Sequence, residues 1–460
     1  MLPPIETSID QVIRDLKTPA GDSVEFSSLE SIQANRASFV ERCHSTWKRL
    51  HNESIERLFF FEGFLLREKT NPMGSAAKEY ANYNQALIRK INDSIVWSVF
   101  GMQRHVIKRF CLYKARPALL ESNPGDVYAA LRTFNALPMS LAIWNDATSC
   151  VDIGDVTYVE DGTQPNPEFI ELKSGEVNAE IAELLSLQGE EHSLKFEEFK
   201  RKRGQAGVKQ HERVLRQQKT GEQALDLLAN DQGIDPVTGQ EMRVVDISTK
   251  QDSYDAALGQ VLTNVLDGRL ETCELIAGCI WIYANSDPSI NREQAAVRFI
   301  NTLSNRISQE HLRNIRRPGP HDRDRIVPLI WGLHQPVSLP LFLRSLSAEI
   351  IAAALCGELR HKVMMYIDWS RFAVLCKEAG ASISFLGGKA VRRSRAEPAN
   401  MRLPIIGGRL AQLAIEDVKA GITDPMLIRI LFDGITPQTV INDIIAHAQI
   451  MLRSVTPGGV

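Results

Sequence analysis

The sequence predicts an α/β protein in three parts: an N-terminal helical domain at 1–118, a central domain at 119–290 and a C-terminal α/β domain at 291–460. In the first part, apolar residues recur every three or four positions in long runs, which favours helices. In the second part the apolar runs become short and turn residues separate them, and in the third part helical and strand-like patterns alternate. A chain of 460 residues is also too long for one ordinary domain.

The composition is that of a globular protein, with 44% hydrophobic and 24% charged residues. The net charge of −3 gives no overall basic field, so any contact with nucleic acid must depend on local basic patches. The seven cysteines form neither a CxxC pair nor a zinc-type spacing, which favours reduced thiols. We find no secretory leader pattern and no run long enough to span a bilayer, and therefore expect a cytoplasmic protein without membrane contact.

The N-terminal part is expected to begin with a loosely packed polar arm at 1–35. Two helical regions follow, at 38–69 and at 76–114, and Pro117 ends the second one. The dense apolar block within the first region favours a core or a subunit interface. We expect this part to serve in assembly or to cover a site in the central domain.

The central domain is predicted to begin with a helix that starts at Ser122-Asn123-Pro124, followed by a strand at 139–144. Two further strands, at 151–158 and 169–172, flank the polar turn Asp161–Pro167 and form a hairpin. A strand at 242–248, a helix at 254–267 and one fully buried strand at 273–284 are expected to complete the sheet.

Three charged residues interrupt the apolar pattern of this hairpin: Asp155, Glu171 and Lys173. Glu171 and Lys173 are two residues apart, so in a strand they point to the same face, while Asp155 lies on the neighbouring strand. Two carboxylates held close together repel unless a cation lies between them. Mg²⁺ suits such a site because it binds few carboxylates together with waters and phosphates. A solvated hairpin with a surface Glu–Lys pair is the alternative.

Gly154-Asp155 followed by Glu171-Leu172-Lys173 resembles the PD-(D/E)XK nuclease superfamily, with glycine in place of the motif's proline. The resemblance implies a restriction-endonuclease-like mixed sheet core and metal-dependent hydrolysis of phosphodiester bonds. It also implies that Asp155 and Glu171 bind Mg²⁺, with Mn²⁺ as the alternative metal, and that Lys173 is catalytic. A further acid is often present in the superfamily, and Asp126 and Asp146 both remain candidates for it.

A helix after the ExK strand often carries a glutamine or lysine near the site in this superfamily. Gln210 matches that role best and Lys209 is second, although either is equally explained as an ordinary solvent-facing position. The nearby basic residues are candidates for binding nucleic acid, and the alternative for them is a solvated helical face. These residues are Lys200, Arg201, Lys202, Arg203, Lys209 and Arg213. They lie in or just after a charged insertion predicted at 176–207.

The C-terminal domain is predicted to contain strands at 327–333, 362–367 and 382–386, with helices at 347–359 and 369–378. A basic loop follows Gly387-Gly388-Lys389, and it lacks the Walker spacing of a phosphate-binding loop.

The sequence therefore predicts a Mg²⁺-dependent endonuclease that acts on DNA, with RNA left open. Because an ungated nuclease endangers its host, we expect control by a homo-oligomer or a partner protein, as in prokaryotic antiviral defence nucleases. The alternative is an inactive nuclease-like fold that binds a protein or nucleic acid through its basic segments.

Overall fold

The chain forms two compact units, of which one spans 18–244 and the other joins 3–17 to 245–460. The predicted domain boundaries at 118 and 290 do not coincide with this division, because the N-terminal helices cluster with the central strands. The computed structural model describes residues 9–17, 36–70, 74–112, 116–160, 167–172, 176–236, 239–243, 251–309, 312, 326–396, 405–406, 409–415 and 418–455. Both units combine helices with small antiparallel sheets, so the protein is mixed α/β.

Helix α1 (Ile9–Lys17) is the first helix that the structure describes, and it contradicts the prediction of a loosely packed arm at 1–35 for these nine residues. Its apolar residues recur at helical spacing, and Ile9, Val12, Ile13 and Leu16 are all buried. It belongs to the unit that contains residues 245–460.

Among the described residues, four helices precede the first strand of the unit at 18–244 and match most of the predicted helical regions. They are α2 (Arg36–Thr70), α3 (Ser75–Val99), α4 (Arg104–Phe110) and α5 (Pro124–Phe134). The predicted region at 76–114 is broken between α3 and α4, where Gly101 and Met102 both have positive φ. Positive φ ends a right-handed helix, because that conformation belongs to the left-handed region.

A three-stranded antiparallel sheet follows in the order β1-β2-β3. Its strands are β1 (Ser140–Trp144), β2 (Val156–Glu160) and β3 (Glu168–Ile170). The predicted hairpin is present but shorter than expected, since β2 begins at Val156 and not at 151. All five residues of β1 are buried, and the ring of Phe169 packs on that of Phe110 at 4.8 Å between centroids.

Helices α2 and α3 hold the end of β1 through buried polar contacts. The backbone N–H of Trp144 donates to His51 Nε2 at 2.9 Å, and Asn92 Nδ2 donates to the carbonyl of Ala147 at 2.9 Å. The two side chains also contact each other, with His51 Nδ1 3.0 Å from Asn92 Oδ1. The N-terminal helices are thus part of the scaffold beneath the strands.

The predicted charged insertion is a small helical bundle. Helix α6 (Glu176–Ser186) precedes α7 (Gly189–Asn230), which reverses direction at Gly204, where φ is 62°. The reversal brings the ring of Phe196 to 4.8 Å from that of His211. The bundle buries Ile181, Leu184, Phe199 and Val214 in one cluster. Two short strands, β4 (Gln232–Ile234) and β5 (Glu241–Arg243), close this unit.

The prediction of a single strand at 273–284 is wrong, because this stretch forms a hairpin of two strands in the unit that contains residues 245–460. Helix α8 (Asp255–Leu266) precedes β6 (Glu271–Ile276) and β7 (Ile280–Asn285), which Ala277 and Gly278 join with positive φ. With β8 (Val327–Pro328) and β9 (Met364–Ile367) they form a sheet in the order β6-β7-β9-β8, and they do not pair with β1, β2 or β3. The predicted strand at 242–248 is described only to residue 243, where it pairs with β4.

The remaining elements follow the predicted alternation in part. They are α9 (Arg292–Leu303), β8 (Val327–Pro328), α10 (Ala348–Leu355), β9 (Met364–Ile367), α11 (Trp369–Glu378), β10 (Ser382–Leu386), α12 (Gly388–Ala396), β11 (Ile405–Ile406), β12 (Arg409–Ile415), β13 (Val418–Gly421), α13 (Asp424–Leu431) and α14 (Pro437–Val455). The strand predicted at 327–333 ends at Pro328, and a 3₁₀ helix follows from Leu329. The basic loop predicted after Lys389 is helical as far as Ala396, as part of α12. The remainder of that loop, 397–402, lies outside the described residues. Each helix that the structure describes is too short or too polar to cross a lipid bilayer.

Candidate active site

Asp155 lies at the entrance to β2, in a turn whose conformation depends on the preceding glycine. Gly154 has a φ of +66°, and a Cβ built there would lie 3.1 Å from the carbonyl oxygen of Ile170. A side chain is therefore disfavoured at 154 both by the left-handed backbone and by the close approach of β3. Proline could not adopt this backbone conformation, because its ring fixes φ near −65°.

Asp155 and Glu171 lie just beyond the paired ends of two neighbouring strands, Asp155 before β2 and Glu171 after β3. The last pair of the ladder between these strands is Val156 with Ile170. The backbone N–H of Asp155 donates to the Ile170 carbonyl at 2.8 Å. Asp155 Oδ2 accepts from the N–H of Leu172 at 2.6 Å. These bonds fix the Asp155 carboxylate beside the segment that carries Glu171.

Both carboxylates line a polar cleft of about 790 Å³ within the unit at 18–244. Gln210 and Arg213, which α7 contributes, line the same cleft. Residues that are far apart in the chain therefore meet here, because the reversal of α7 at Gly204 returns the second half of that helix to the strands. The cleft is the largest concentration of the predicted site residues in the described part of the chain.

Of the two candidates for an additional acid, Asp146 lines the cleft and Asp126 does not. Asp146 lies in a 3₁₀ turn directly after β1, and burial raises the pKa of its carboxyl above the usual range. Ser122, Arg116 and Arg89 partly oppose this rise in pKa. Arg89 also donates from its guanidinium to the backbone carbonyl of Asp146.

Asp126 has a local role at the start of α5. Its Oδ2 accepts from the side-chain amide of Asn123, and its charge complements the positive end of the helix dipole.

Gln210 is held at the cleft by α6. Its Nε2 donates to Asn178 Oδ1 at 3.0 Å, so the amide oxygen of Gln210 keeps its capacity to accept from water or substrate. Lys209, the second candidate for this helix position, is exposed and does not line the cleft.

The basic tetrad at 200–203 lies apart from the cleft and is engaged with carboxylates of the helical bundle. Arg203 Nη2 lies 3.0 Å from Glu176 Oε2 and 2.8 Å from Glu180 Oε1. Lys202 also pairs with Glu180, and together these cations lower the pKa of that carboxyl to about 2. Lys200 lies 3.4 Å from Glu197, and Arg201 is exposed.

Lys173, the predicted catalytic lysine, lies outside the described residues. The described chain stops at Leu172, which itself lines the cleft, and resumes at Glu176. The role of Lys173 therefore stays a prediction.

Two arginines of the cleft did not emerge from the sequence. Arg116 lies 3.0 Å from Asp152 Oδ1, and Asp152 Oδ2 accepts from the N–H of Leu112 at 2.5 Å. Only the fold reveals this pair, since the two residues are distant in the sequence. Arg216 also lines the cleft, and it was detectable because it follows Arg213 by three positions on a helix.

The donor set at the strand ends suits a hard divalent cation. Asp155 and Glu171 supply only oxygen ligands, and Mg²⁺ is commonly bound through one or two carboxylates plus waters and phosphates. Across the described residues, no group of three or more Asp, Glu, His or Cys is arranged to hold a metal ion. A complete protein cage, which structural zinc requires, is therefore not found there, while a two-carboxylate Mg²⁺ site needs no such cage.

Comparison of the chain with protein-family models, curated proteins and solved structures gave no match.

Proposed function

We propose that this protein is a Mg²⁺-dependent endonuclease that hydrolyses phosphodiester bonds, with DNA as the favoured substrate. The observation that carries the proposal is that Asp155, Glu171 and Gln210 line one polar cleft. They are the residues that the PD-(D/E)XK resemblance selects, together with Lys173. The sequence pattern alone did not require them to meet.

In this proposal Asp155 and Glu171 hold the metal through their carboxylate oxygens. The bound Mg²⁺ would act as a Lewis acid toward a phosphoryl oxygen and would lower the pKa of a bound water. Gln210 orients water or substrate through its amide oxygen, since its NH₂ group is engaged by Asn178. Lys173 has the catalytic role that the resemblance implies.

The proposal includes the finer fold assignment, in which β1, β2 and β3 with α5 form the start of a restriction-endonuclease-like core. The order helix, strand, strand, strand supports it. Gating by self-association or by a partner, and a role in antiviral defence in the cytoplasm, are parts of the proposal that rest on the resemblance alone.

The test is cleavage of plasmid, linear and single-stranded DNA and of RNA with Mg²⁺, Mn²⁺ or EDTA. Wild type is compared with Asp155→Asn, Glu171→Gln and Lys173→Ala. Glu168→Gln is the matched control, because Glu168 is an exposed acid at the other end of β3 and does not line the cleft. We expect metal-dependent cutting that the three site variants lose by a factor of at least about 10² and that Glu168→Gln retains.

Equal cutting by wild type and Glu171→Gln would contradict the proposed site. A wild type that neither cuts nor gains thermal stability from Mg²⁺ or Mn²⁺ would contradict the nuclease function. That result would favour an inactive binding module.

A further inference from the structure

One face of the second half of α7 carries a continuous polar strip along the cleft. Gln210, Arg213, Gln217 and Thr220 recur at intervals of three and four residues, and Arg216 lies beside them. Residues with this spacing share one face of a helix. From Gln210 to Thr220 the strip is about 15 Å long at the usual rise of 1.5 Å per residue.

The two arginines of the strip differ from those of the basic tetrad in what they contact. Among the described residues, Arg213 has no carboxylate within ion-pair distance. Arg216 has only Glu212 at 4.0 Å, and its side chain is 72% exposed. An exposed pair at that distance contributes little. Both guanidinium groups thus remain able to bind an anion, whereas Arg203 is engaged by two glutamates.

Positive and negative charges lie on different parts of the cleft wall. Arg213 and Arg216 belong to α7, and Arg116 is paired with Asp152. Five carboxylates line the remainder: Glu121, Asp146, Asp152, Asp155 and Glu171. A polyanion in this cleft is repelled by the acidic wall unless a cation neutralises it. Its phosphates therefore have a favourable position only along α7.

The size of the cleft limits what can lie along the strip. A volume of about 790 Å³ falls among pockets that hold ligands of roughly drug size. It can hold about one or two nucleotides of one strand, and pairing each of them with a second nucleotide would about double the volume required.

We propose that the strip formed by Gln210, Arg213, Arg216, Gln217 and Thr220 binds the phosphate backbone of a single-stranded polynucleotide. This inference rests on the proposed nuclease function and assigns its substrate as one unpaired strand. The guanidinium groups of Arg213 and Arg216 donate hydrogen bonds to phosphate oxygens, and these contacts do not depend on the base sequence.

The test measures binding by fluorescence anisotropy, using labelled strands of about 12 nucleotides. Single-stranded DNA, single-stranded RNA and a blunt DNA duplex are each titrated at several salt concentrations, with Ca²⁺ and with EDTA. The test variant is Arg213→Gln/Arg216→Gln. The control is Arg49→Gln/Arg132→Gln, which removes the same two charges from exposed helix positions of the same unit that do not line the cleft.

We expect the test variant to bind single strands at least about tenfold more weakly. The slope of log K against log salt should fall by about 1.4, because two phosphate contacts at about 0.7 each are lost. The control should stay within about twofold of wild type. Arg213→Lys/Arg216→Lys should recover most of the affinity, which separates lost charge from misfolding, and all variants are compared by melting temperature.

Equal binding by the test and control variants would overturn the inference, and so would a duplex that binds as tightly as a single strand. Comparison of the DNA and RNA arms identifies which strand is preferred, and a preference for either supports the inference. Wild type that binds single strands with Ca²⁺ but never cuts with Mg²⁺ or Mn²⁺ would leave the strip supported and contradict the nuclease. If wild type cuts and the test variant cuts equally well at low substrate concentration, the nuclease function is supported and the strip is contradicted.

Discussion

The side-chain amide of Asn145 donates a 2.7 Å hydrogen bond to the backbone carbonyl of Ile153, two residues before Asp155. The same Nδ2 lies 3.2 Å from the carbonyl of Gly154, and Oδ1 accepts from the hydroxyl of Thr157 at 2.7 Å. Asn145 is only 1% exposed. One buried amide therefore fixes the turn that positions Asp155.

Asn145→Asp should weaken this turn, because it replaces the donating NH₂ with an oxygen that faces two carbonyls. We expect a loss of about 1–3 kcal/mol in the free energy of unfolding, measured by urea titration. Cleavage should fall by more than tenfold. Asn135→Asp is the control, since the Asn135 amide bridges both backbone groups of Ala142 but does not line the cleft. Equal loss of cleavage in both variants would argue against a specific role for Asn145.

Gly154→Ala should destabilise the same turn, because it adds a Cβ to a residue with positive φ that lies close to β3. The new Cβ would lie 3.1 Å from the Ile170 carbonyl at a φ of +66°, and we expect a cost of about 1–2 kcal/mol from the left-handed backbone alone. The control is Gly189→Ala, with a similar φ of +62° but nothing within 4 Å of the new Cβ. If the two variants lose the same free energy of unfolding, the contact with β3 is irrelevant.

Asp146→Asn should reduce metal-dependent cleavage, whereas Asp126→Asn should leave it near the wild-type rate. The reason is that Asp146 lines the cleft with Asp155 and Glu171, while Asp126 contacts Asn123 at the start of α5. We expect a reduction of at least tenfold for Asp146→Asn and a raised Mn²⁺ concentration for half-maximal rate. The opposite ranking of the two variants would show that the acid at the helix start is the functional one.

His51 should make stability depend on pH. Burial lowers the pKa of this imidazole to about 4, and the hydrogen bond with Asn92 only partly opposes it. The unfolded chain, with a histidine pKa of about 6.5, therefore binds the proton more readily than the folded one. The stabilisation is complete above about pH 6.5 and is lost as the pH falls toward 4, by about 3 kcal/mol.

The measurement is the free energy of unfolding of wild type and His51→Gln by urea titration from pH 7.5 to 4. The variant lacks this titration, so the difference between the two proteins should shrink or reverse as the pH falls. Subtraction of the variant removes the contribution of the other acids and histidines. A difference that stays constant with pH would show that His51 is protonated with its ordinary pKa.

Local patterns predicted much of this molecule. The helix predicted at 369–378 and the strands predicted at 382–386 and 139–144 agree with the structure to within one residue, because apolar periodicity and turn residues act over a few positions. That Asp155 and Glu171 lie on neighbouring segments was also predictable, since a hairpin places its two strands side by side.

What the sequence did not reveal depends on contacts between distant residues or on unusual backbone. The turn between β6 and β7 was missed because Ala277 adopts a φ of 45°, which non-glycine residues rarely do. The pairing of β7 with β9 joins strands about eighty residues apart. The choice of Asp146 over Asp126 as a cleft residue, and the reversal at Gly204, likewise required the folded chain.

Because α1 groups with residues 245–460, residues 18–244 are inserted between two segments of the other compact unit. When 18–244 unfold while the other unit stays folded, they form a loop whose two ends remain attached. Closing a loop of that length removes on the order of 5 kcal/mol of chain entropy from the unfolded segment. Attachment at both ends therefore favours the folded state of the unit that contains the cleft. A single cut in the chain at either end of 18–244 would remove this entropic stabilisation without altering any side chain.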